Sequence, residues 1–133
     1  MRFNKPIERW FPAPGDPDKS EHLIRHLLPG EILDSILSAT DQETKYIIDK
    51  KSGDMTPEAV SRTKPGEIAL AQFMSALRGW KNMFDSDGAV MEFNDANKLR
   101  AYREIDGYAE FITDLREKLA KDILEEEEAR RKN

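Results

Sequence analysis

A chain of 133 residues has the length of one domain and can bury a modest core. With 35% charged residues, a net charge of −5 and no cysteine, it excludes disulfides and thiol chemistry and is set against nucleic-acid phosphates and anionic lipid. No apolar run approaches the roughly 18 residues of a membrane span, and MRFNKPIERWF lacks the apolar stretch of a secretory leader. The expectation is a protein that works in the cytoplasm, apart from membranes and nucleic acid.

Pro6, Pro12, Pro14 and Pro17 break any helix over residues 1–21. Gly15-Asp16-Pro17-Asp18 is turn chemistry, with Ile7, Trp10 and Phe11 before it and Leu23, Ile24 and Leu27 after it. A short β-hairpin or an N-terminal arm fits this pattern. Pro29 suits a first helical turn, and Ile32, Leu33, Ile36 and Leu37 make one apolar stripe on a helix of about ten residues. Over 43–65, Tyr46-Ile47-Ile48 predicts a short extended segment and Lys50-Lys51-Ser52-Gly53-Asp54 a loop. Thr56-Pro57-Glu58 then predicts an N-cap opening one weak turn of helix.

Pro65-Gly66-Glu67 opens a stronger helix carrying Leu70, Phe73, Met74 and Leu77, with Gly79 placed to stop it. Asn94 or Asp95 caps a helix over 95–105 that bears Leu99, Tyr102 and Ile105. Asp106-Gly107 interrupts. Tyr108, Phe111, Ile112, Leu115, Leu119 and Ile123 then form one apolar face of a long helix. Residues 125–133 are charged apart from Ala129 and Asn133 and read as a solvated, fraying tail. The chain therefore reads as a single domain over 1–133, mostly α with some β (α+β). Its β elements are a hairpin near the N-terminus and a second one at 80–93.

The stretch GWKNMFDSDGAVMEFN holds the candidate site. A calcium loop wants oxygen ligands at positions 1, 3 and 5, glycine at 6 and glutamate at 12. Setting Gly88 at position 6 puts Met83 first and Asn94 twelfth; setting Asp85 first puts Val90 at the glycine position. Both registers fail. A tight turn at Asp85-Ser86-Asp87-Gly88 fits better, with Trp80 and Phe84 on one side and Met91 and Phe93 on the other forming an aromatic cluster against the preceding helix. Gly79, Trp80, Phe84, Asp85, Asp87, Gly88 and Phe93 are thus a structural motif that needs no metal or other cofactor.

His22 and His26 stand four apart without a zinc pattern around them and read as two half-exposed histidines. No nucleophile elbow, phosphate loop or carboxylate within an apolar run points to catalysis. The stripe of the last helix is either core or a partner-facing surface, the latter through Phe111, Leu115, Leu119 and Ile123.

The order Gly79-Trp80, a short apolar strand, Asp85-x-Asp87-Gly88, Phe93, Asn97 and Leu99, then a last helix with a charged tail, resembles the tail assembly chaperones of long-tailed bacteriophages. Trp10-Phe11, a turn and Leu23-Ile24-Arg25 leading into a helix are similar too. The likeness covers most of the chain apart from 43–65. It implies a mostly helical, non-enzymatic phage or prophage protein of the host cytoplasm. Such a protein holds the tape measure protein soluble while tail tube subunits are recruited, self-associates, and is often made in a longer frameshifted form. A tail or head–tail component of the virion is the alternative in the same class. A divalent-metal-binding regulator using Asp85 and Asp87 is the alternative from another.

Overall fold

The computed structural model describes every residue except Asn4 and Asn133, with Glu43 described for its backbone alone. In chain order the elements are β1 (Ile7–Pro12), β2 (Glu21–His26), α1 (Pro29–Ser38), β3 (Thr40–Ile48), β4 (Met55–Thr63), α2 (Pro65–Ala76), β5 (Leu77–Lys81), α3 (Asp95–Glu104) and α4 (Tyr108–Lys132). They form a three-stranded antiparallel sheet in the order β1-β2-β5 and a separate two-stranded sheet of β3 and β4.

The first hairpin forms where the sequence predicts it. Asp16 shapes its turn by accepting from the amides of Asp18 and Ser20, each at 3.1 Å. Gly15 supplies the positive φ of 81° that a Cβ would resist. Pro29 opens α1, and the Glu31 carboxylate accepts from the free Leu28 amide at 3.1 Å. Asn94 caps α3 by accepting from the Asn97 amide at 2.8 Å. Gly107, at φ 75°, turns the chain into α4.

Four expectations are corrected. The fold is α+β rather than mostly α, because five strands stand beside the four helices. Residues 40–63 form a hairpin of two nine-residue strands around the expected loop at 50–54; the extended segment Tyr46-Ile47-Ile48 is part of a longer strand, and the expected helical turn is strand. Thr56-Pro57 caps nothing there: Pro57 lies opposite Tyr46 in a two-stranded ribbon whose outer edges tolerate a residue without an amide hydrogen. Gly79 does not stop α2. That helix ends at Ala76, the chain turns extended at Leu77, and Gly79 pairs with Leu23. A Cβ on Gly79 would meet Trp10 Cη2 at 3.3 Å and Leu23 Cβ at 3.4 Å, so close approach is the reason for glycine.

The core lies between the three-stranded sheet and α4. Ile24, Leu77, Ile112 and Leu119 are fully buried there, joined by Trp80 and Tyr108 of the same two layers and by Phe73 of α2 and Ala101 of α3. Far along α4, Glu126 takes a two-pronged ion pair from Arg9 of β1 at 2.7 Å per contact. The helix continues to Lys132, so the expected fraying tail is helical; Asn133 lies outside the described residues.

Candidate functional site: an outward apolar surface

The aromatic stretch closes a turn. The Trp80 indole donates to the Met91 carbonyl at 2.8 Å and meets Phe93 edge-on at 5.1 Å. Phe84 and Val90 form an isolated bridge, so the second hairpin expected at 80–93 shrinks to a tight turn after β5. Asp85 Oδ1 accepts from the amides of Asp87 and Ala89, both at 2.9 Å, and Gly88 adopts φ 83°. The Asp85 carboxylate is thus engaged by its own loop. Phe84 corrects the expected cluster: it is 41% exposed, whereas Trp80 is buried. Among the described residues no group of three or more His, Asp or Glu is placed to hold a metal ion.

His22 corrects another expectation, being buried rather than half-exposed; His26 is partly exposed. It links Ser20 Oγ at 3.0 Å through Nε2 and the Tyr108 hydroxyl at 2.9 Å through Nδ1. The Phe111 ring stands edge-on at 5.2 Å. Burial pushes the His22 pKa down to about 4 against the pull of the Asp16 carboxylate, and it pushes the Tyr108 phenol up. The chain of three has the spacing of a nucleophile, a base and an orienting group. Ser20 and His22 are nevertheless both buried, and the chain joins β2 to α4 as a satisfied polar pin. Its signal in the sequence is the alternation of buried Ser20, His22 and Ile24 entering and running along β2.

Lys98 is a second buried polar group that sequence reading passed over. Its ammonium donates to the Met74 carbonyl near the end of α2, stands 3.7 Å from Asp95 and lies over the Phe93 ring. Burial lowers its pKa while the Asp95 carboxylate opposes the shift.

The surface available for contact lies on α1. That helix turns a serine inward: Ser35 is buried and accepts from Gln72 Nε2 at 3.2 Å, and Gln72 accepts from Arg116 at 3.3 Å. Its apolar stripe consequently faces out, with Ile32 and Ile36 each 38% exposed, Leu33 54% and Leu37 60%. Ile32 also borders a groove of about 300 Å³ shared with Leu27, Thr113, Glu117 and Ala120. On α4 the arrangement is reversed. Leu115, Leu119 and Ile123 are buried and Phe111 is partly so, so of the two readings of that stripe the structure supports core and corrects the partner-facing one.

No protein-family model, curated protein or solved structure matches the chain. Among the described residues no helix is long and apolar enough to cross a membrane. The fold and surface define an α+β protein that presents a helix with its apolar side outward.

Proposed function

We propose that this chain is a non-enzymatic tail assembly chaperone of a long-tailed bacteriophage or prophage. It holds the tape measure protein soluble in the host cytoplasm while tail tube subunits are recruited. The observation that carries this reading is the inverted α1, which buries Ser35 and offers Ile32, Leu33, Ile36 and Leu37 to solvent. Amphipathic client segments dock on such apolar anchors. The abundant surface charge keeps a protein with so much exposed apolar side chain in solution. The order of the Gly79–Leu99 motif points to the same family.

The test is co-expression with a helix-forming fragment of a tape measure protein, followed by sedimentation. The fragment is expected in the supernatant with this chain and in the pellet without it. The double substitution Leu33→Asp, Leu37→Asp is expected to return it to the pellet while leaving the chain folded. A fragment that pellets with the unaltered chain overturns the reading. Recovery of the chain in purified particles favours a structural tail component instead.

A further inference from the structure

A cavity of about 390 Å³ opens where three distant segments meet: the β1–β2 turn, the chain after β5 and the α3–α4 junction. That volume falls within the range of small-ligand sites. The β3–β4 hairpin, an arm whose side chains are almost all exposed, takes no part in it. Phe84, Ile105 and Phe111 supply apolar walls. Phe84 and Ile105 are 41% and 44% exposed, so large apolar side chains stand beside open space. Asp16, Asp18 and Asp106 add three carboxylates.

The charge of the cavity is one-sided. No lysine or arginine lines it, and among the described residues none pairs with these three carboxylates. Elsewhere the acids find partners: Glu126 holds Arg9, while Glu8 and Glu31 hold Arg25. Among the described residues no three acids are placed to hold one metal ion, so the complement of this cavity is a larger, more diffuse cation.

The buried floor has the same preference. The Asp16 carboxylate draws the Ser20 hydroxyl proton toward itself. Ser20 Oγ then accepts from His22 Nε2, which leaves Nδ1 of the neutral imidazole bare. Tyr108 therefore donates to Nδ1, and its oxygen is left with lone pairs and no proton. Tyr108 lines the cavity next to Phe111. A guest meets lone pairs at the floor, exposed carboxylates at the rim and aromatic rings at the walls. N–H donors that carry positive charge satisfy all three.

The backbone singles out the same place. Among the described residues, Lys19 and Asn82 are the two non-glycine residues in the left-handed region, at φ 52° and 58°. Asn82 lines the cavity, Lys19 stands between Asp18 and Ser20, and Asn82 Nδ2 donates to the Lys19 carbonyl at 3.1 Å. Such conformations cluster at ligand clamps.

We propose that this cavity binds a compact organic cation, an ammonium or guanidinium group on a short apolar stem. The inference needs no tape measure protein and stands apart from the chaperone reading.

Calorimetric titration of the full chain with 2-phenylethylamine is expected to give a dissociation constant below about 1 mM. The uncharged 2-phenylethanol, of similar shape, is expected to bind at least about 10-fold more weakly. A capped Gly-Gly-Arg-Gly-Gly peptide offers the same chemistry as a protein side chain, and the tighter of the two cations identifies the source. The pair Asp18→Asn, Asp106→Asn is expected to weaken the amine by about 10-fold. The pair Asp34→Asn, Asp54→Asn removes equal charge outside the cavity and is expected to change nothing. Phe84→Ala removes a wall without touching a charge and is expected to weaken binding as well. Near-UV circular dichroism from buried Trp80 shows whether each variant remains folded. Failure of both cations to bind at up to about 10 mM overturns the proposal. Equal affinity for the alcohol overturns it too, as does equal weakening by the two aspartate pairs.

Discussion

His22 ties stability to pH through burial. Above its ordinary value of 6.5 both folded and unfolded chains hold a neutral imidazole, and the full stability is present. Between 6.5 and about 4 the unfolded chain takes a proton that the folded chain refuses, so stability falls as pH falls. Across that window the loss is on the order of 3 kcal/mol. Urea midpoints should decline from pH 7 to pH 4.5 and decline less in His22→Gln; an equal decline in both proteins would remove His22 as the cause. Gly79 has a steric role at the same scale. A methyl group there presses on Leu23 Cβ, which the strand backbone holds, and on the Trp10 ring edge, which has room to move. Gly79→Ala should therefore destabilise by about 1 kcal/mol in denaturant titrations, toward the low end of overpacking costs. At Lys98, substitution by methionine leaves the Met74 carbonyl without its buried donor, a change expected to cost about 1–3 kcal/mol in the same measurement.

α1 and α4 carry the same apolar period and do opposite things with it. Periodicity reports that a helix has an apolar side; it does not report what covers that side. On α4 the sheet covers it, so Leu119→Ala should leave a cavity and cost about 2–5 kcal/mol. On α1 the bond from Gln72 to Ser35 fixes the polar side inward, so Leu33→Ala should change stability by no more than about 0.5 kcal/mol. Urea unfolding of the two variants side by side checks the pair. Equal losses would place α1 in the core and remove the basis for client binding.

As a whole, the molecule is a body carrying an arm. The arm is closed at its root by Thr40 and Thr63, whose hydroxyls lie 3.1 Å apart, and it adds nothing to the buried cluster. Replacing residues 42–61 with Asn-Gly, a two-residue hairpin turn, should leave the thermal midpoint of the body within about 3 °C in calorimetry. A collapse of the midpoint would show that the arm supports the core. The body itself was largely legible in the sequence. The Asp16 turn, the helix starts at Pro29 and Pro65, the Asn94 cap, the break at Gly107 and the long α4 stripe all follow from residues within a few positions of one another. Local sterics and hydrogen bonds decide such features. Contacts between distant residues decided the rest: Leu23 against Gly79, Thr40 against Thr63, and His22 against Tyr108. Within the arm only Tyr46-Ile47-Ile48 announces extended chain; the rest of its strands has no apolar alternation, and the exposure of Phe84 depends on what packs beside it. The outward face of α1 belongs to this second group, because burial is a property of neighbours and the chain alone names none.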